Sequence, residues 1–171
     1  MNSGFRIVTN CSDWAEGIAG ITRAAFTKQY GSGDGEVALI AALRASGEVA
    51  VELAALDGDV VVGHAMFSKL SVSPPNLRVA ALAPVCAAIN RQRSGIGSAL
   101  TWEGLARVKT QDFDAVAVLG DPNYYSRFGF SLDAALAFRC VFSGPHFQVL
   151  WLGAPVSGSW QLDYPKAFAS V

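Results

Sequence analysis

The feature that most constrains the fold is an order of strand, glycine turn, helix and strand in the middle of the chain. Residues 78–88 (RVAALAPVCAA) read as a strand, and residues 91–100 (RQRSGIGSAL) place two glycines just ahead of an apolar helical pattern. Residues 114–121 (DAVAVLGD) form a continuous apolar run, which is typical of a strand that is buried on both faces. Because a helix connects them, the two strands are predicted to be a parallel pair with a right-handed crossover.

Pro84 lies at the centre of the first of these strands. Since proline has no N–H to donate to a neighbouring strand, the strand is predicted to be bulged or unpaired on one side at this point. Backbone groups beside Pro84 are then free to bind something other than a strand.

The segments on the N-terminal side add a strand and two helices. Residues 5–9 (FRIVT) alternate like a half-buried strand, and the apolar residues that follow have helical spacing, with Asp13 and Glu16 placed as in a capping box. After a glycine-rich loop at residues 31–36, a second amphipathic helix is predicted to end at Gly47.

Most of the remaining pattern is that of strands. Residues 57–59 (Asp-Gly-Asp) stand between two strand-like runs and predict a hairpin, and residues 123–130 predict a short helical turn that ends at Gly129. Three alternating runs in the tail predict closing antiparallel strands, at residues 138–142, 146–152 and 159–164.

Composition limits the classes of function. With 171 residues, of which 51% are hydrophobic and 16% charged, the chain is predicted to fold as one domain over residues 1–171. The net charge is −1 and like charges do not cluster, so neither nucleic acid nor a membrane is an expected partner, and small molecules are favoured. Three cysteines without CxxC spacing and two histidines indicate no metal site. The first residues lack a signal-peptide pattern and no apolar run reaches membrane-spanning length, so a cytoplasmic location is expected.

The glycine turn at residues 91–100 predicts an anion site. The first N–H groups of a helix have no partners within the helix, and the helix dipole attracts negative charge to them. Two phosphate-binding motifs fit the spacing poorly: a dinucleotide fingerprint would need a glycine where Leu100 stands, and a Walker loop would need a lysine that the turn lacks.

Gln92, Gly95 and Gly97 resemble instead the signature of the GCN5-related N-acetyltransferase (GNAT) superfamily: Gln or Arg, two residues, Gly, one residue, then Gly or Ala. The order and spacing of the motifs, over about residues 5–168, look most like the branch of predicted acetyltransferases typified by the bacterial YhbS-like proteins. Three further stretches resemble parts of this family. Residues 60–68 (VVVGHAMFS) resemble its third strand, residues 82–87 (LAPVCA) resemble its fourth strand, and residues 124–130 (YYSRFGF) resemble its Tyr-x-x-x-Gly-Phe ending.

The resemblance implies an α/β fold in which a single mixed, mostly antiparallel sheet is flanked by helices and splayed between its fourth and fifth strands, where acetyl coenzyme A (acetyl-CoA) enters. It implies direct transfer of the acetyl group to a primary amine of a small molecule or peptide. Family members are often homodimers, and exposed tail strands would suit a dimer. One departure is that Arg93 and Ser94 stand where this branch usually has a Gly-Lys pair.

The resemblance also assigns roles to residues. Tyr125, four residues before Gly129, would be the general acid, because a phenol with a pKa of about 10 stays neutral at pH 7 and can donate to the departing thiolate. Tyr124 is the second candidate for this role. Backbone groups would hold the cofactor. The pyrophosphate would be bound by the turn, namely Gln92, Arg93, Ser94, Gly95, Ile96, Gly97 and Ser98, with added positive charge from Arg91 or Arg127. The pantetheine arm would be bound by the strand, at Val85, Cys86 and Ala87.

The general base is left open by the sequence. Many family members carry a glutamate on the fourth strand, but residues 78–88 contain no acid. The candidates are Asp121 at the end of the fifth strand, Glu36 at the start of the second helix, and His64 on the third strand. A chain of water molecules that carries the proton to bulk solvent is equally consistent with the sequence.

Two other classes of function stay open. A catalytically degenerate GNAT domain could act as an acyl-CoA-binding sensor or as an interaction module. A hydrolase could use Cys86 with a histidine, in which case a reagent that blocks thiols would abolish activity.

Overall fold

The computed structural model describes residues 4–171, and within this range the chain forms nine strands and five α-helices. No helix in this range is long and apolar enough to cross a membrane. The strands are β1 (Arg6–Val8), β2 (Val49–Asp57), β3 (Val60–Lys69), β4 (Ser71–Ser73), β5 (Val79–Ala87), β6 (Ala115–Leu119), β7 (Phe138–Arg139), β8 (Phe147–Trp151) and β9 (Trp160–Asp163). The helices are α1 (Ala15–Tyr30), α2 (Asp34–Ser46), α3 (Ile96–Thr110), α4 (Pro122–Tyr125) and α5 (Leu132–Ala135), with short 3₁₀ turns at Cys11–Trp14, Ile89–Arg91, Ser126–Phe128 and Lys166–Ser170.

Six strands form the central sheet, in the order β1-β2-β3-β5-β6-β8. All neighbours are antiparallel except β5 and β6, which are parallel and are connected through α3. The predicted hairpin, the parallel pair and the mixed, mostly antiparallel sheet flanked by helices are therefore confirmed. Because the short strand β4 was not predicted, the fourth and fifth strands of the prediction are β5 and β6.

A second, smaller sheet accompanies the central one. Its order is β4-β9-β7, and β9 is antiparallel to β4 but parallel to β7. The prediction of one sheet closed by three antiparallel tail strands is thus wrong in this detail, since only β8 joins the central sheet. Alternation along a strand shows which side chains share a face, but it does not show which strand lies alongside.

The start of α1 also differs from the prediction. Cys11–Trp14 form a 3₁₀ turn before α1, and the Asp13 carboxylate accepts a hydrogen bond from Nδ2 of Asn10 (2.7 Å) instead of capping the helix. The glycine-rich loop is shorter than predicted because α2 begins at Asp34, and α2 ends at Gly47 as expected.

The core lies on both faces of the central sheet. Along β2, Leu53 and Ala55 pack with residues of α3, while Ala54 and Leu56 pack with residues of α1 and α2. This alternation is the period of two that a strand buried on both faces requires.

Gly63 of β3 determines how closely the start of α3 approaches the sheet. A Cβ atom at this position would lie 2.3 Å from Cγ2 of Ile96, the first residue of α3. Only glycine allows this contact, so the glycine turn before α3 is held against the middle of the sheet, beside β5.

Candidate active site

The candidate site begins where β5 and β6 separate. The two strands pair at three positions, the last being Ala81 opposite Ala117, and within residues 4–171 no further pairing between them follows. On its other edge β5 stays paired with β3 as far as Ala87, with a register shift at Ala83 and Pro84. The predicted bulge at Pro84 and the predicted splay between these two strands are confirmed.

The separation of the strands opens a cavity of about 780 Å³. One side is formed by residues 81–85 of β5, by residues 117–121 at the end of β6, and by Tyr124 and Tyr125. The other side is formed by side chains of α1, α2 and the C-terminal segment. Its volume is within the range of cavities that bind cofactors and small molecules.

One edge of β5 faces this space without a partner strand. From Leu82 to Ala87 the strand pairs only with β3, so the N–H and C=O groups on its other edge are free to bind an extended ligand. Val85, Cys86 and Ala87, which the sequence predicts to bind the pantetheine arm, lie along this stretch.

The glycine turn leaves free N–H groups at the start of α3. Gly95 precedes the helix with a φ of 84°, and Arg93 has a φ of 60°, so both have left-handed backbone conformations. Within residues 4–171, the N–H groups of Ile96, Gly97 and Ser98 have no hydrogen-bond acceptor. Three free donors and the positive end of the α3 dipole are suited to a phosphate group.

The rest of the turn and its arginines lie near the surface. Gln92 and Ser94 are exposed, and Ser94 Oγ donates to the carbonyl oxygen of Arg91. Arg91 is paired with Asp57 (2.5 Å), whereas within the described residues Arg127 has no ion pair. The guanidinium of Arg127 stacks 4.3 Å from the ring centre of Tyr124, which leaves its charge available to an anion.

Two tyrosines connect the turn with the cavity. Tyr124 Oη lies 3.5 Å from Ser98 Oγ and would lie 3.2 Å from a Cβ atom at Gly97, so this phenol reaches the first turn of α3. Tyr125 packs edge to face against Tyr124 and against Phe130. Burial, together with the nearby phenols, raises the pKa of Tyr125 above its usual value, so this residue keeps its proton at neutral pH.

Two carboxylates line the same cavity. Asp121 Oδ1 accepts a hydrogen bond from the backbone N–H of Asn123 (2.9 Å) and thereby caps α4. Glu36 lies in the first turn of α2 and is half-buried. The fold therefore brings Tyr125, Asp121 and Glu36 to one cavity, although their catalytic roles stay predictions.

His64, the third candidate base, does not line this cavity. Its side chain is fully buried, and its Nε2 lies 2.8 Å from Oε1 of Glu52, to which Arg44 also donates. Burial lowers the pKa of His64, despite the opposing influence of Glu52.

Cys86 is placed unfavourably for a nucleophile. Its thiol lies 3.7 Å from Oγ1 of Thr22, on the α1 side of the sheet, and burial raises its pKa to about 11. A buried thiol that keeps its proton is a poor nucleophile at neutral pH, which argues against a hydrolase based on Cys86.

Sequence reasoning missed the aromatic side of the cavity. It is formed by residues of α1 and of the chain after β7, namely Phe26, Tyr30, Phe142, Tyr164 and Phe168. The spacing of Phe26 and Tyr30 marks one face of a helix, but no pattern in the sequence indicates that the tail meets that face.

Comparison with known proteins agrees with this geometry. No family model matches the chain. The chain is 34% identical over 138 residues to the uncharacterized N-acetyltransferase YhbS of Escherichia coli strain K12, which covers 79% of this chain and 80% of that protein.

Two crystal structures are similar over nearly the whole chain. The GNAT family N-acetyltransferase YhbS from Escherichia coli, in complex with CoA, has a TM-score of 0.82 at 31% identity and covers 96% of this chain and 91% of that one. A GNAT family acetyltransferase from Brucella melitensis, in complex with acetyl-CoA, has a TM-score of 0.81 at 30% identity and covers 96% and 97%. The order of the strands and the separation of β5 from β6 agree with these similarities. The chain belongs to the GNAT family of N-acetyltransferases.

Proposed function

We propose that this protein transfers the acetyl group of acetyl-CoA directly to a primary amine of a small molecule or peptide. The main support for the proposal is that the free edge of β5, the cavity and the start of α3 are next to one another. Tyr124 joins them, because it both lines the cavity and contacts α3. The bound CoA and acetyl-CoA in the two similar crystal structures support it.

The chain offers separate groups for the two parts of the cofactor. The amides of Ile96, Gly97 and Ser98 would bind the pyrophosphate, and Arg127 would add a positive charge beside them. The pantetheine arm would bind as an additional strand along residues 82–87. The thioester would then lie in the cavity between β5 and β6.

Acetyl-CoA supplies an acetyl group that is already activated as a thioester. The amine nitrogen bonds to the carbonyl carbon, and the carbon–sulfur bond breaks. A backbone N–H near Val85 would stabilise the charge that develops on the carbonyl oxygen. Tyr125, which is protonated at neutral pH, would donate a hydrogen bond to the departing sulfur and then a proton, which it would regain from solvent.

A primary amine is protonated at neutral pH, and it must lose a proton before its nitrogen can attack. Glu36 and Asp121 are the carboxylates that line the cavity, and either can pass this proton to solvent. Asp121→Asn retains the ability to cap α4, and Glu36→Gln retains the shape of the side chain, so a fall in rate in either variant would reflect the lost charge.

A calorimetric titration with acetyl-CoA tests the first step. Saturable binding of acetyl-CoA, but not of NAD or ATP at the same concentration, is expected. A preference for NAD or ATP would contradict the proposal. Release of the CoA thiol on addition of primary amines then tests turnover, and binding without any release would indicate a degenerate, acyl-CoA-binding domain instead.

A further inference from the structure

The two sides of the cavity differ in chemistry. The side between β5 and β6 consists largely of backbone and small side chains, with Tyr124 and Tyr125 beside it. If the thioester lies against that side, as the proposed function requires, the acceptor amine must approach from the other side, which is formed by α1, α2 and the C-terminal segment. The side chains of this acceptor side therefore define what the acceptor looks like.

Aromatic rings dominate the acceptor side. Phe26 and Tyr30 of α1 stack with ring centres 6.0 Å apart. On the tail, Tyr164 packs against Phe142 (4.8 Å) and against Phe168 (5.0 Å), both edge to face. Two groups of aromatic side chains, from opposite ends of the chain, thus line one space, and such a surface favours an apolar, flat partner.

The charged side chains that line the cavity all have the same sign. Glu36 and Asp121 line the cavity, and among residues 4–171 no lysine or arginine does. Neither carboxylate forms an ion pair with another described residue, in contrast to Glu52, which pairs with Arg44 and His64. Two unpaired carboxylates attract an ammonium group and repel a carboxylate.

Together these features define a class of substrate. We propose that the acceptor is a primary amine on an aromatic or otherwise apolar body that carries no carboxylate of its own, an inference that rests on the proposed function. The ammonium group approaches Glu36, the apolar body lies against the aromatic rings of α1 and the tail, and the free amine forms when the proton leaves. An α-amino acid is excluded because its carboxylate would meet the two acidic side chains with no cation to pair with.

Three amines separate the parts of this inference. 2-Phenylethylamine has both the ring and the amine, phenylalanine adds a carboxylate, and ethanolamine lacks the ring. With saturating acetyl-CoA, the kcat/KM for 2-phenylethylamine is expected to exceed that for phenylalanine by about 100-fold and that for ethanolamine by about tenfold. The measurement is release of the CoA thiol, corrected for the rate without amine.

A variant isolates the role of charge. Glu36→Gln is expected to lower the preference for 2-phenylethylamine over phenylalanine by about tenfold, because the carboxylate of phenylalanine is then repelled less. If Glu36 acted only as a base, both rates would fall together and their ratio would not change. Glu16→Gln is the matched control, since Glu16 lies in the first turn of α1 but not in this cavity, and it should leave the ratio unchanged.

The outcomes separate this inference from the proposed function. If acetyl-CoA does not bind, both are overturned. If acetyl-CoA binds but phenylalanine or ethanolamine is acetylated as well as 2-phenylethylamine, or 2-phenylethylamine is not acetylated at all, only the acceptor class is overturned. The expected order of the three amines, with the ratio reduced in Glu36→Gln alone, supports it.

Discussion

Two groups of polar side chains in this protein each contain a carboxylate and a titratable ring, and they differ in what surrounds them. The buried trio is Glu52 on β2, His64 on β3 and Arg44 on α2, with side chains that are 11%, 0% and 28% exposed. The cavity group is Glu36, Asp121 and Tyr125, whose side chains line an open space of about 780 Å³.

The difference lies in how many hydrogen bonds the carboxylates accept from other side chains. Burial alone would raise the pKa of Glu52, but hydrogen bonds from His64 and Arg44, together with the positive charge of Arg44, outweigh it and lower that pKa. An ionised carboxylate only accepts, so His64 Nε2 carries the hydrogen in this bond. Glu36 and Asp121, by contrast, have no cationic partner among the described residues. The carboxylate of the trio is therefore already paired within the protein, whereas the carboxylates of the cavity group are free to act on a ligand.

The largest expected effect is on stability and comes from the trio. Glu52→Ala leaves Arg44 and His64 without their acceptor, and we expect it to lower the free energy of unfolding by about 3 kcal/mol. Urea denaturation measures this. Glu103→Ala is the control, because the Glu103–Arg107 pair on α3 is nearly half exposed and its loss should cost less than about 0.5 kcal/mol. Equal losses in the two variants would show that the trio is not a stabilising element.

The second effect is on rate and comes from the cavity group. Tyr125→Phe removes the proton donor, so kcat for the acceptor amine should fall by about 100-fold, while the free energy of unfolding changes by less than about 1 kcal/mol. Steady-state kinetics and urea denaturation of the same preparation measure both. Tyr124→Phe is the comparison, and a larger loss of kcat in that variant would assign the acid to Tyr124.

The third effect is the dependence of stability on pH. Burial lowers the pKa of His64 in the folded protein, so below about pH 6.5 the unfolded chain binds a proton that the folded chain does not. The free energy of unfolding should therefore decrease as the pH falls below about 6.5, by at most about 1.4 kcal/mol per pH unit for this one proton.

The free energy of unfolding at pH 7, 6 and 5 tests this dependence. In His64→Gln the slope between pH 6.5 and 5 should be smaller than in the wild type, whereas Glu52 contributes a loss of the same sign only at lower pH, because its pKa is also lowered. The same slope in both proteins would show that another group carries the acid sensitivity.

The sequence predicted the frame of the fold and the cofactor side of the site because their signals are local. The proline in β5, the two glycines before α3 and the apolar run of β6 each constrain the backbone at their own positions. Those constraints were enough to predict the parallel pair and the bulge at Pro84, whereas the separation of the strands was predicted from the resemblance to the GNAT family.

The acceptor side could not be predicted because it depends on contacts between distant segments. Tyr164 and Tyr30 line one cavity although more than a hundred residues separate them in the chain. For the same reason His64 looked like a candidate base: its partner Glu52 lies on the neighbouring strand, and only the register of β2 with β3 brings the two side chains together. The small sheet of β4, β9 and β7 was not predicted for the same reason, because it pairs segments that are distant in the chain.

The smallest expected effect concerns the cofactor and distinguishes two glycines in helices. Gly97→Val places a branched side chain over the free amides of α3, where a phosphate would approach and where a Cβ atom alone would already lie 3.2 Å from Tyr124 Oη, so the Kd for acetyl-CoA should rise about tenfold. Gly20→Ala, on α1 with no atom within 4 Å of the added carbon, should leave this Kd unchanged and stabilise the protein by up to about 1 kcal/mol. Calorimetry measures both affinities. An unchanged Kd in Gly97→Val would mean that the pyrophosphate does not bind at these amides, and the cofactor would then have to bind at another position.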